Sequence, residues 1–217
     1  MYDFHSIGLT PIQTLFLNVS ALSLIGLALL RSERELNDQN LWAMLGLLAV
    51  FGISGRILLE PLPNIQPVTA IVLLAGIYYG GPRAFALAGT IALASNLLAL
   101  GHGPWTLFQI LGWGSVAITG ALLSNQLLID GKLCIGRVAV VAAVSGFIFN
   151  WIVSTSILIE TDSSMLVPYL LNGLVFDLYH AAGNIAFVAW MATPLGDMML
   201  RHRVAPANVA VGEFASN

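Results

Sequence analysis

The sequence predicts an all-α, multi-pass integral membrane protein, and three observations lead there. Of 217 residues, 58% are hydrophobic and only 9% charged, more apolar side chains than a soluble globule of this size has interior to hold. The apolar residues fall into runs near the ~20 residues a bilayer crossing needs, broken by charges and by Gly/Pro clusters. Basic residues then sort to one side of those runs. A net charge of -3 argues against a nucleic-acid partner, and a lone cysteine, Cys134, cannot form a disulfide within its own chain.

Seven spans are expected, over 10–30, 41–59, 65–79, 84–100, 105–129, 135–159 and 166–200. The first follows residues that carry Asp3 and no Lys or Arg, so it lacks the positive flank of a secretion signal and reads as a retained helix. Spans three and four are short. Between them Tyr79-Gly80-Gly81-Pro82-Arg83 separates two helices, glycine ending one and proline opening the next. The seventh is too long for one crossing and is expected to stop near Thr193-Pro194, leaving Arg201, His202 and Arg203 beyond the membrane face. Residues 204–217 have no strong apolar period and read as a loose tail.

Orientation follows from the basic residues. Arg31, Arg34, Arg83, Lys132, Arg137, Arg201 and Arg203 share one face if the N-terminus is outside and the C-terminus cytoplasmic, and Arg56 alone stands on the other. Arg56 and Glu60, at i and i+4, read as an ion pair at the membrane surface. The outward connections are then 60–64, 101–104 and 160–164.

Polar side chains gather toward that outer face. Asn96 sits near the outer end of span four, Gln109 one turn below Trp105, and Asn172 is similarly shallow, while Asn150 and Asp177 lie about midway. Trp105, Gln109 and Trp113 recur every four residues on one face, as do Asn172, Phe176, His180 and Asn184, with Asp177 alongside. Two helices each presenting aromatic and hydrogen-bonding groups suit an outward-opening small-molecule pocket. Competing readings stay open: intramembrane Asn and Gln also stitch helices together, Trp105 also serves as an interfacial anchor, and Asp177 and His180 also form a structural pair or meet Asn150.

Several chemistries lack their residues. Lys132, in Asp130-Gly131-Lys132-Leu133, is the only lysine and sits in no P-loop. Ser115, in Gly112-Trp113-Gly114-Ser115, has no histidine in its own span to activate it. Four scattered histidines, His5, His102, His180 and His202, form no metal-ligand pattern. No catalytic residue, metal site or cofactor is expected. In span two Ala43, Gly46, Ala49, Gly52 and Gly55 repeat every three residues, a smooth strip for internal packing or for docking to another membrane protein.

Four motifs together resemble a known family. They are Pro63-Asn64-Ile65-Gln66-Pro67-Val68-Thr69-Ala70, then Gly80-Gly81-Pro82-Arg83, then Gly101-His102-Gly103-Pro104-Trp105-Thr106 with Gln109, and last Phe176-Asp177-Leu178-Tyr179-His180-Ala181-Ala182-Gly183-Asn184. Their order and spacing resemble the substrate-specific S component of energy-coupling-factor (ECF) vitamin transporters, and the likeness covers spans two to seven. It implies a six-helix substrate-binding domain over 41–203, an extra N-terminal helix with its loop over 1–40, and the tail over 204–217. It further implies a membrane-embedded binding protein that captures a vitamin from outside and hands it to a transmembrane coupling subunit driven by two cytoplasmic ATPases. The Asn-x-Gln-Pro and Gly-Pro-Trp-Thr pattern is similar to cobalamin-type members, so a corrinoid is one ligand it implies. The small-residue strip of span two departs from the family's A-x-x-x-A docking patch, and the opening Met1-Tyr2-Asp3 departs from the Met-His start of its nickel and cobalt members.

The sequence thus nominates Asn64, Gln66, Asn96, Trp105, Gln109, Trp113, Asn150, Asn172, Asp177 and His180 for substrate, and Ala43, Gly46, Ala49, Gly52 and Gly55 for a partner subunit. Two other classes remain: a self-sufficient proton-coupled carrier, with Asp177 and His180 relaying protons, and an intramembrane enzyme or assembly factor.

Overall fold

A computed structural model describes residues 39–202 together with Thr10, Ile12, Gln13 and Phe16. Most of the expected first helix, with Arg31 and Arg34, and the tail from Arg203 onward lie outside the described residues. At the start of that first segment the Thr10 N–H donates to Gln13 Oε1 (2.9 Å) and the Gln13 N–H to Thr10 Oγ1 (3.3 Å), a reciprocal N-terminal cap.

The described chain is mostly helical, with short irregular connections and one hairpin of two two-residue strands. Its helices are α1 (Gln39–Leu58), α2 (Val68–Tyr79), α3 (Gly81–Ser95), α4 (Trp105–Leu122), the single turn α5 (Ser124–Leu127), α6 (Ile135–Ser154) and α7 (Leu166–Arg201). A π-helical turn, Asn96–Leu100, continues α3, and a 3-10 turn, Thr155–Ile159, continues α6. Among the described residues, five stretches are long and apolar enough to cross a membrane: Leu41–Leu58, Gly81–Leu100, Trp105–Leu122, Ile135–Ile159 and Ser163–Arg201. Successive long helices alternate in direction. The connections at 59–67, 101–104 and 160–162 therefore gather at one end, called here the loop end, and those at Gly80 and 123–134 at the other.

Helix α2 is the axis of this bundle. It is apolar on every side apart from Thr69, and all twelve of its residues are buried, as expected of a helix with no polar face to give to solvent. It packs against α1, α3, α4, α6 and α7. Its closest neighbour is α4, and small residues make that approach possible. A Cβ added at Gly76 would collide with the Ala117 carbonyl oxygen, and one at Gly120 with that of Leu73. Backbone meets backbone at both points, so the two helices lie as near as helices can. Ala84, Ala88, Ala92 and Ala117 are likewise fully buried between helices, whereas Ala182 and Ala186 face outward and Ala181 and Gly183 pack inside instead.

Three expected boundaries are corrected. The span expected over 105–129 ends at Leu122, and residues 128–133 turn back as a hairpin pairing Leu128 with Leu133 and Ile129 with Lys132. Asp130 (φ 51°) and Gly131 (φ 75°) supply the two left-handed residues its tight turn needs. The helix over 65–79 begins only at Val68, because Ile65 and Gln66 are irregular and Pro67 is its N-cap. Last, α7 does not stop at Pro194 but runs through it to Arg201. An internal proline costs ~3 kcal/mol or more. Burial beyond it offsets that: Met199 is fully buried, its carbonyl accepts from the Tyr79 hydroxyl at 3.2 Å, and Gly196 lies against Tyr78.

The strip on α1 divides between two roles. Gly52 packs on Ile91 and Gly55 on Pro67, while Ala43 and Gly46 stay uncovered. Gly46 and Ala49 line a groove of about 190 Å³ between α1 and α3, with Trp42, Leu45, Arg83 and Leu87, away from the loop end.

The α2–α4 contact sets a prediction for stability. Gly120→Val is expected to lower stability by about 2 to 3 kcal/mol, because its branched side chain meets a backbone carbonyl that cannot rotate away. Gly46→Ala, with nothing within 4 Å of the new carbon, is expected to be neutral. Thermal unfolding of both variants in detergent checks the pair.

Candidate functional site

At the loop end the last turn of α1 carries Arg56 inward, and it is 3% exposed. A charge this deep must find polar partners or leave the membrane-spanning bundle. Its Nε donates to Gln66 Oε1 (3.1 Å), and its Nη1 donates to Asn96 Oδ1 (3.0 Å) and to Ser95 Oγ. The guanidinium carbon stands 4.7 Å from the Trp113 ring centroid, a cation–π contact. Asn96 opens the π-helical turn. From there its Nδ2 donates to Thr106 Oγ1 and to Gln109 Oε1, each at 2.8 Å, tying the end of α3 to the start of α4. π-Turns of this kind recur where a helix must redirect a functional side chain.

A second set of bonds continues from Trp113. Its Nε1 donates to Thr69 Oγ1 (3.1 Å) on α2, and Thr69 Oγ1 lies 2.9 Å from His180 Nε2. His180 Nδ1 is 3.1 Å from Asn150 Oδ1, Asn150 Nδ2 donates to Asp177 Oδ1 (2.8 Å), and Trp151 Nε1 donates to Asp177 Oδ2 (3.0 Å). An ionised carboxylate only accepts, so Asn150 must turn its NH₂ to Asp177 and its oxygen to His180. His180 Nδ1 then carries hydrogen. With the imidazole neutral, Nε2 accepts the Thr69 hydroxyl proton, and every donor from Trp113 onward points toward Asp177. Phe149 stacks on Trp113 at 4.3 Å and meets the His180 ring edge-on at 5.2 Å, forming the apolar wall around these bonds.

Most of the nominated residues therefore belong to one network. Asn96, Trp113, Asn150, Asp177 and His180 are buried in it, and Gln66 and Gln109 join it from half-buried positions. Asn64 is half-buried in the 59–67 connection with a left-handed backbone (φ 58°), and Trp105 lies against Gly103. Asn172 stands apart: it is exposed on α7, two turns from His180. Asp177 and His180 do not bond each other, since Asn150 bridges them. Asn184 donates to the Ala142 carbonyl at 3.0 Å and holds α7 to α6.

The polar groups bond one another beneath the three connections. Arg56 is the residue that sequence reasoning passed over, since it turns inward to Gln66, Ser95 and Asn96 and leaves Glu60 exposed. Its signal was present as the single basic residue on the wrong side of the charge asymmetry. Thr69, Ser95, Thr106 and Trp151 were missed as well, because a lone hydroxyl or indole carries no spacing pattern.

Residues 35–208 match the family of unknown function DUF6580. No curated protein and no solved structure matches the chain.

Thr69 is the hinge of the network, which gives a direct test. Thr69→Val leaves the Trp113 N–H and His180 Nε2 without their shared partner, and it is expected to cost about 2 to 3 kcal/mol, whereas Thr69→Ser retains most of the stability. Thermal unfolding with tryptophan fluorescence compares them.

A pH effect follows from the 101–104 connection. Both His102 ring nitrogens are buried without a partner among the described residues, and burial pushes its pKa below the usual 6.5. The folded chain thus binds fewer protons here than the unfolded chain, so the stability present above pH 6.5 falls as acidification proceeds below it. His102→Leu is expected to flatten that part of a melting-temperature profile between pH 7.5 and pH 5.

Proposed function

For this chain, which belongs to the DUF6580 family, we propose the role of a membrane-embedded substrate-binding subunit of an ECF-type importer. It captures a vitamin or related micronutrient from outside and passes it to a transmembrane coupling subunit with two cytoplasmic ATPases. One observation carries this reading: a charged, aromatic and amide-rich cluster concentrated under three short connections at a single end of an otherwise apolar bundle. A structural stitch needs one or two polar groups. This cluster joins α1, α2, α3, α4, α6 and α7, and a small molecule entering from that end would exchange hydrogen bonds with it.

The orientation proposed places the loop end outside, in line with the basic residues at the opposite end. In this reading admission separates the segment from Asn96 to Trp105 from α1, breaking the Arg56–Asn96 bond. Its Gly101 (φ 83°) and π-helical turn supply a place to bend. Substrate delivery without ATP chemistry of its own accords with the absence of a P-loop from the sequence.

The aligned donors from Trp113 through Thr69, His180 and Asn150 to Asp177 favour one second reading, a proton-coupled carrier. Purified chain in liposomes separates the two, because a carrier accumulates substrate under an imposed proton gradient and a binding subunit does not.

Mass spectrometry of the small molecule that co-purifies with the detergent-solubilised chain tests the proposal. Gln109→Ala is expected to weaken equilibrium binding of that molecule by about 1 to 3 kcal/mol without lowering membrane expression. Unchanged affinity removes Gln109 from the site.

A further inference from the structure

We propose that Arg56 is a carboxylate receptor, so that the molecule taken up at the loop end is a small organic acid. This rests on the capture reading and narrows it to a ligand class.

A guanidinium has five N–H groups. Three are used: Nε on Gln66, and Nη1 on Ser95 and Asn96. Nη2 has no protein partner among the described residues, and it is not one of the polar atoms sealed from the surface. Every acceptor around Arg56 is neutral, and no Asp or Glu of the described residues pairs with it. Dipoles orient a buried cation but do not cancel its charge, and burying an unmatched charge costs several kcal/mol. An anion at Nη2 removes that mismatch.

The partners also differ in how firmly they hold. Ser95 is fully buried and donates to the Ile91 carbonyl at 2.6 Å, and Asn96 is fixed by Thr106 and Gln109. The guanidinium carbon also lies over the Trp113 indole, which holds the group from its face. Gln66 is different. It is half-buried in the 59–67 connection and brings one oxygen to an edge, Nε with Nη2, that presents two parallel N–H groups. A carboxylate matches that edge with both oxygens. Gln66 therefore acts as a placeholder that withdraws when the acid arrives.

Charge balance selects carboxylate over phosphate. Arg83, Lys132, Arg137 and Arg201 all stand toward the opposite end, so among the described residues Arg56 is the one basic chain at the site, and one positive charge balances one carboxylate rather than a dianion.

Matched probes test this on the full chain in detergent at fixed ionic strength: benzoate against benzamide, pantothenate against pantothenol, and inorganic phosphate, read by tryptophan fluorescence and calorimetry. Each acid is expected to bind at least tenfold more tightly than its neutral counterpart, and Arg56→Gln is expected to abolish that preference. Gln66→Ala is expected to strengthen acid binding about threefold, a sign that survives even if Arg56→Gln fails to fold. Equal binding of acids and neutral counterparts overturns the carboxylate assignment and leaves the capture reading standing. Phosphate binding as tight as the acids, weaker acid binding by Gln66→Ala, or no acid bound at all each overturns it too. The capture reading stands or falls separately on the co-purifying molecule.

Discussion

The arrangement depends on one close contact, the backbone-to-backbone meeting of α2 with α4 at Gly76 and Gly120. Dispersion forces fall steeply with distance, so two helices without a polar seam bind best when nothing larger than hydrogen separates them. That contact fixes the rotation of both helices. Toward the loop end it sets Thr69 of α2 opposite Trp113 of α4, within hydrogen-bond reach. The rest of the polar network is built outward from this pair, to Arg56 on one side and Asp177 on the other.

The network shows how a bundle with few charges houses two of them. Arg56 and Asp177 are both about as buried as the apolar core, yet neither neutralises the other. Each is met by neutral groups instead: amide oxygens, a hydroxyl and an indole face for the cation, and amide and indole N–H groups for the anion. Hydrogen bonds from neutral groups meet part of the desolvation cost that each buried charge carries.

Helix positions were legible in the sequence because membrane-spanning runs are long and uniform. Gly80 with Pro82 marked the α2–α3 boundary, and Trp105 the start of α4, correctly. Where tertiary packing overrules local preference, the sequence misled: Pro194 reads as a stop, but the buried turn around Met199 carries the helix past it. The Asp-Gly of residues 130–131 is a hairpin signal hidden inside an apolar run. At the site, periodicity found Gln109 with Trp113 and Asp177 with His180, since these share helix faces. It could not find Arg56, whose partners lie ten, thirty-nine and forty residues away on other elements. Asn172 shares the spacing but lies exposed on α7, outside the hydrogen-bonded network.

Helix α2 has one more consequence. Twelve residues rise about 18 Å, well short of the ~30 Å hydrocarbon thickness, and its neighbours shield it from lipid on every side. The non-helical backbone at both its tips is therefore held at bilayer depth by protein rather than by water. A helix this short can sit in such a bundle only because its five neighbours satisfy both of its ends as well as its sides.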